Sequence, residues 1–213
     1  VELRNPSDRV LDVELVSTFE PTLTDPMADE AHPAFTNLFL SARWRASHDA
    51  LVFVREPRLA TEQGLHAAHF LAGSDPQVTG IRIQTDRLRW LGRNRDIDRP
   101  LATLEPPPAG DADVLDTGLD PVCALAVRLR IAPFGKAQVI FATAASDNGG
   151  ILSAVIDKYR QPSHVQRASL MSATLTGIRL RALRVTADNF AAIQSLTTAM
   201  VLCLTRHDVG NLL

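Results

Sequence analysis

The sequence predicts a mainly β protein, a two-sheet antiparallel β-sandwich followed by helices at its C-terminal end. Three observations predict it. Apolar residues recur with a period of two from about residue 10 to 145, turn-forming clusters break that pattern into short runs, and the period changes after Asn148-Gly149-Gly150. A period of two puts alternate side chains on opposite faces of an extended chain, which marks strands buried on one side.

The runs can be taken in order. Leu11, Val13, Leu15, Ser17 and Phe19 fall on one face, with Asp12, Glu14, Thr18 and Glu20 on the other. Leu38, Leu40, Ala42 and Trp44 alternate with Phe39, Ser41, Arg43 and Arg45. Ile81 and Ile83 flank Arg82; Cys123, Leu125, Val127, Leu129 and Ile131 alternate with small residues and arginines; Val139, Phe141 and Thr143 close the series. The breakers are Asp25-Pro26, Gly73-Ser74-Asp75-Pro76, the proline-rich stretch 105–110 and Ala132-Pro133-Phe134-Gly135. Short strands with no helix between them predict packed antiparallel sheets.

Beyond Asn148 the spacing is helical. Residues 151–158 predict a short helix ending before Pro162. From Ser163, a stripe of Ala168, Met171, Leu175, Ile178, Ala182 and Val185 at spacings of three and four predicts a second helix. Thr186 is a candidate cap for a third, from Asp188 to about Leu204, with Phe190, Ile193, Leu196 or Thr197, Met200 and Leu204 inward. The domains expected are a sandwich over 1–147 and a helical linker over 148–213, whose apolar faces need a surface to cover: the sandwich, or a domain that follows. The chain starts within a polar turn sequence and stops just after a helical pattern, so it reads as a piece of a longer protein.

At 213 residues with 46% hydrophobic content, the chain has enough apolar material for one sizeable core. A net charge of −2 gives no case for nucleic acid or for direct contact with an anionic membrane. Cys123 and Cys203 stand far apart in apolar surroundings and form no metal or redox motif, so both read as buried free thiols. No apolar run is long enough to span a membrane. No nucleotide-binding loop, dinucleotide fingerprint or nucleophile elbow occurs, so no cofactor is expected.

The segment richest in chemistry runs from Arg82 to Arg99, with six arginines, three aspartates (Asp86, Asp96, Asp98) and Trp90 beside Gly92. Guanidinium forks next to an aromatic face suit sugar hydroxyls, phosphate or carboxylates. Three readings stand open: a solvated strand and loop; a structural or interdomain role with Arg87 and Arg93 paired to carboxylates and Trp90 in the core; or the rim of a sugar or phosphate site. In the last, Trp90 stacks on a sugar and Gly92 admits close backbone approach. The candidate substrate-binding residues are therefore Arg87, Trp90 and Arg93. Other candidates carry less. His32 reads as a structural histidine in a turn entering a strand, near Asp29 and Glu30. His66 and His69, three apart, fall on opposite faces of a strand, and nothing completes a metal set around them. The acid pairs Asp29/Glu30 and Asp96/Asp98 read as exposed turn residues.

Four segments in order carry a resemblance: Arg4-Asn5-Pro6-Ser7-Asp8-Arg9; Ala28-Asp29-Glu30-Ala31-His32-Pro33-Ala34-Phe35 with Leu38-Phe39; Thr85-Asp86-Arg87 to Trp90-Leu91-Gly92-Arg93; and Leu119-Asp120-Pro121-Val122, Leu129, Ile131, Pro133, then Asp157-Lys158-Tyr159-Arg160. With them the chain resembles the N-terminal β-sandwich domain of glycoside hydrolase family 94, once grouped as glycosyltransferase family 36. It is most like the version in the C-terminal half of cyclic β-1,2-glucan synthases. Gln84, Trp90, Asn94 and Asn37 depart from residues common in that family. The resemblance implies a galactose-mutarotase-like supersandwich, then linker helices, then an (α/α)6 barrel that holds the catalytic acid and uses inorganic phosphate as nucleophile. It therefore implies no catalytic residue and no metal in this chain. The partners implied are β-glucan oligosaccharide and phosphate through the parent enzyme, the barrel itself, and a second subunit. The location implied is the cytoplasmic side of the bacterial inner membrane. An independent carbohydrate-binding module is the alternative.

Overall fold

The structure, a computed structural model, describes residues 1–57, 62–73, 75–96 and 99–205, with backbone alone at 202, 204 and 205. Ser74, Asp98, the side chain of Leu204 and residues 206–213 of the expected linker lie outside the described residues. Strands β1 (Glu2–Arg4) and β2 (Leu11–Phe19) are followed by helices α1 (Pro26–Ala31) and α2 (Pro33–Asn37). Next come β3 (Leu40–Arg45), β4 (Ala50–Arg55), β5 (Leu65–Leu71), β6 (Val78–Asp86) and the short helix α3 (Arg87–Leu91). Strands β7 (Ala112–Leu115), β8 (Pro121–Ile131), β9 (Lys136–Gln138) and β10 (Phe141–Ser146) precede helices α4 (Gly149–Tyr159), α5 (Pro162–Ala182) and α6 (Ala187–Thr205).

All strand pairs are antiparallel. One sheet has the order β10-β5-β4-β3-β7, a second β2-β8-β6, and β1 pairs with β9 as a ribbon. The two larger sheets face each other. Leu40, Ala42 and Trp44 of β3 and Leu51 and Phe53 of β4 meet Ile83 of β6 and Cys123, Leu125, Val127, Leu129 and Ile131 of β8. That is the sandwich core, and all of these residues except Leu51 and Phe53 are alternating ones read from the sequence. The fold is the mainly β sandwich with C-terminal helices that the periodicity predicts.

Several elements differ from expectation for identifiable reasons. Residues 50–54 of β4 are all buried. Leu51 and Phe53 point into the sandwich, while Ala50, Val52 and Val54 are covered by Leu152 and Ile156 of α4. A strand buried on both faces has no polar side, so it shows no alternation. Asp25-Pro26, expected as a break, starts a helix: the Asp25 carboxylate accepts from the Met27 N–H at 2.9 Å and Pro26 takes the first helical position. His32 therefore joins α1 to α2 and does not enter a strand. The run Val139–Thr143 is interrupted: Val139 and Ile140 link β9, which pairs with β1, to β10, which holds Phe141 and Thr143 and pairs with β5.

The chain divides into compact units at Val165/Gln166, and α4 packs on the sandwich through Leu152 and Ile156. In the second unit, Thr186 accepts from the Asn189 N–H at 3.2 Å, as its position predicted. The apolar stripe of α5, with Met171, Leu175 and Ile178, is exposed, as are Ile193, Leu196 and Met200 of α6. No helix among the described residues is long and apolar enough to cross a membrane.

The two thiols separate. Cys123 is buried in the sandwich, where lack of solvation pushes its pKa well above the ordinary thiol range, whereas Cys203 is exposed. The expectation that both are buried holds for Cys123 only. Ellman's reagent is expected to modify one thiol quickly in the native chain and the second only in denaturant, with Cys203→Ser removing the fast phase.

Candidate functional site

The arginine segment begins at the end of β6, where three polar residues are buried in succession: Gln84, Thr85 and Asp86. Burial of such groups is costly unless their hydrogen bonds are met, and these are. The Gln84 amide oxygen accepts from the backbone N–H groups of Thr85 and Asp86, both at 3.0 Å, and its Nε2 donates to the Thr103 carbonyl at 3.1 Å. The Thr85 hydroxyl donates to the Asp116 carbonyl at 2.6 Å.

Asp86 turns the strand into α3. Its Oδ1 accepts from the N–H groups of Leu88 at 2.8 Å and Arg89 at 3.2 Å, a side-chain cap on the first helical turn. Gly118 lies against this carboxylate with φ +57, and a Cβ there would stand 2.7 Å from it. Arg89 sits over the cap among Asp86, Glu105 and Asp116 at 3.5–3.8 Å. Asp86→Ala is expected to cost about 1–2 kcal/mol, read as a shift in urea midpoint, with Asp86→Asn recovering most of it.

Arg87 is held within the chain. Its Nε donates to Glu20 at 2.5 Å, its Nη1 lies 3.5 Å from Asp120, and its backbone N–H donates to the Asp120 carbonyl at 2.9 Å. The hydrogen bond to Glu20 raises the Arg87 pKa further above its already high value. Asp120 also accepts from the Asn37 amide at 3.5 Å. Three of the four motif segments thus converge on Asp120 at one end of β8. The first segment docks at the other end, where Asn5 Nδ2 donates to the Arg9, Ile131 and Ala132 carbonyls at 2.6–3.2 Å.

Trp90 is 5% exposed, packed with Leu91 and Leu104 on the outer face of β8 over Val122, Ala124 and Ala126. A ring covered by its own chain has no open face for a sugar, so the stacking role gives way to the core role. Gly92, with φ +80, serves the same packing. A Cβ there would meet the Leu101 Cβ at 2.8 Å, so the close approach it allows is to Leu101. Arg93, immediately after, is exposed and has no ion pair among the described residues. Of the three candidates, Arg93 is the exposed one, with no ion pair to another described residue.

The remaining candidates also find places. Asp29 accepts from the Thr36 hydroxyl at 3.1 Å, which ties α1 to α2. His69 lies inside the sandwich, stacked on Phe141 with its edge partner Phe19, while His66 points to the other face beside Gly149. No group of three His, Cys, Asp or Glu among the described residues is placed to hold a metal. An open cleft of about 580 Å³ is lined by polar groups including Thr22, Thr24, Asp25, Arg55, Gln63 and Asp147. The sequence reading missed Glu20 and Asp120 as the partners of Arg87. The cap at Asp86 had a signal, an aspartate just before the Leu88, Trp90, Leu91 cluster.

The family described as "Glycosyl hydrolase 94, supersandwich domain" matches residues 1–162, which include every strand and the whole of α4. The chain belongs to this family. Over 189 residues, 89% of its length, it is 26% identical to the cyclic beta-(1,2)-glucan synthase NdvB of Rhizobium meliloti (strain 1021), and it spans 7% of that relative. Within this supersandwich domain, the Arg87–Asp120–Asn37 contact and the Asp86 cap are structural ties that hold the motif segments together at one end.

Proposed function

We propose that this supersandwich domain is a noncatalytic part of a β-glucan-processing enzyme of the cyclic β-1,2-glucan synthase kind, where it scaffolds a helical catalytic barrel and borders that barrel's sugar site. The family match over residues 1–162 carries the reading, and the similarity to a cyclic glucan synthase points to the substrate class. The chemistry of the domain agrees with a supporting role. Glycosidic bond cleavage by paired carboxyl groups needs one free to donate a proton and another facing the substrate. Here Glu20 and Asp120 are paired with Arg87, and Asp86 is spent on a helix cap. The exposed stripes of α5 and α6 are apolar faces of the sort a helical partner covers.

In this reading Arg93 is the domain's contribution to the rim of the sugar site, and β-glucan and phosphate meet the domain only through the parent enzyme. A second subunit and a position on the cytoplasmic side of the bacterial inner membrane belong to the same proposal. The test has two arms. The 213-residue chain should show no phosphate consumption or release with β-1,2-gluco-oligosaccharides, and Arg93→Ala in the full-length enzyme should raise KM for glucan several-fold with kcat little changed. Turnover by the purified chain would overturn the noncatalytic assignment. An unchanged KM would remove Arg93 from the rim. Saturable millimolar binding of these sugars by the chain alone would favour an independent carbohydrate-binding module.

A further inference from the structure

The outer face of the larger sheet, where α4 covers it, holds a second polar feature that the proposed function does not use. Side chains on this face alternate with those of the core: Arg43 and Arg45 from β3, Val52 and Val54 from β4, His66 from β5. Arg43 stands directly across from Val52, and His66 across from Val54. Helix α4 lies over these strands through Leu152 and Ile156 but does not fill the space beside β3. A cavity of about 270 Å³ remains there. Its walls carry four basic side chains, Arg43, Arg45, His48 and His66, and no carboxylate; its floor is Val52, Val54, Leu152 and Ile156, and Gly149, Gly150 and Ser153 complete it.

The hydrogen-bonding state of these side chains points to a ligand. Buried guanidinium N–H groups are normally paired, yet the Arg43 Nε is buried and has no partner. His66 makes no hydrogen bond among the described residues; its ring rests within 3.5–3.6 Å of the position a Cβ would take on Gly149. The remaining basic groups are balanced only from the solvent side. Glu56, Asp113 and Asp157, all exposed, reach Arg43 Nη2, Arg45 Nη2 and His48 Nε2 at 3.2, 3.0 and 2.9 Å, and pairs of that kind are weak. Each arginine thus has one carboxylate at its outer end, and what faces the cavity is donor capacity left over, with the Arg43 Nε unpartnered. The first turn of α4 plays little part, since Asn148 Oδ1 already accepts from the N–H groups of Gly150 and Ile151.

We propose that this cavity is an anion site that takes a phosphate-class oxyanion carrying a small carbon body. The oxyanion would accept from Arg43 Nε, Arg45 and His66, and the carbon body would rest on Val52, Val54, Leu152 and Ile156. The chemistry fits each half. Guanidinium groups bind phosphate oxygens through charge-assisted hydrogen bonds, and a small apolar floor favours an ester over the free ion. Gly149 and Gly150 leave room that a side chain at either position would take. The site rests on these residues alone and stands or falls separately from the proposed role in glucan processing.

The test is a titration of the isotope-labelled chain at constant pH and constant ionic strength, with inorganic phosphate, n-propyl phosphate or sodium chloride. Saturable shifts are expected in the His66 ring and in the Gly149 and Gly150 amides, with half-saturation in the millimolar range or below and n-propyl phosphate tighter than inorganic phosphate. Arg45→Gln and His66→Gln should each weaken binding about tenfold or more, and Lys158→Gln, on the exposed side of α4, should not. Amide spectra of β8 residues report whether each variant is folded, and Arg45→Gln keeps the test decisive if His66→Gln is not. Shifts that chloride reproduces, shifts that never saturate, or an affinity in both variants unchanged from that of the parent chain would overturn the site.

Discussion

Trp90→Ala is expected to lower the unfolding free energy by about 3–5 kcal/mol, while Arg93→Ala, on the same turn-and-loop, stays within about 0.5 kcal/mol of the parent chain. The difference follows from where the two side chains end. Trp90 fills the space over β8 between Leu91, Leu104 and Val122, and its backbone is clamped by an extended segment: the Leu101 N–H donates to the Leu91 carbonyl at 2.8 Å and that of Ala102 to the Trp90 carbonyl at 3.0 Å. Beneath the ring lie Ala124 and Ala126, both fully buried. Alanine side chains cannot move to fill the vacancy, so the cavity persists and the cost should fall toward the upper end of that range. Urea denaturation monitored by circular dichroism measures both variants. A Trp90→Ala chain with an unchanged midpoint would mean that the ring is not core, and the sugar-stacking reading would return.

Acidification between pH 6.5 and 4 is expected to remove about 3 kcal/mol of stability through His69 alone. The ring is 3% exposed between the sheets. It stacks on Phe141 with centroids 5.7 Å apart, meets Phe19 edge-on at 5.2 Å, and shares a hydrogen bond of 2.9 Å between Nδ1 and the Thr143 hydroxyl. Its Nε2 has no partner. Nothing in that setting solvates an imidazolium, and burial pushes the pKa down from 6.5 to about 4. The sign follows from proton counting. Between the two values the unfolded chain binds a proton that the native chain does not, so stability is full above pH 6.5 and declines as pH falls toward 4. Unfolding free energies of the parent and of His69→Gln, measured at intervals from pH 7.5 to 4, should converge as the pH drops, because the carboxylates titrate in both. Parallel curves would show that His69 is not buried neutral.

The architecture was legible where burial is one-sided. Strand β2 shows Val13, Leu15 and Phe19 against the core and Asp12, Glu14 and Thr18 toward solvent, and the inward residues of β8 could be listed one by one. It was not legible where a second layer covers the sheet. Residues 50–54 of β4 look like any apolar run, and the alanines of β8 look like filler until α3 is seen lying on them. The candidate site divides in the same way. Its composition and its order of motifs marked the family. The fate of each side chain did not show, because Arg87 finds Glu20 67 positions away and Asp120 33 positions away, and sequence spacing carries no information on such contacts.

The sequence by itself determined the β-sandwich class, most strand positions, the helical C-terminal segment with its Thr186 cap, and membership of the glycosyl hydrolase 94 supersandwich family. Those properties are local or periodic, set by side chains a few positions apart on one strand or one helix. Only the tertiary structure decided that Trp90 is core, that Arg87 is tied to Glu20 and Asp120 while Arg93 is open, that α4 belongs to the sandwich, and that four basic side chains share one cavity beneath it. Each of these depends on which strand lies beside which and on what covers the outer face of a sheet, and packing between distant segments settles both.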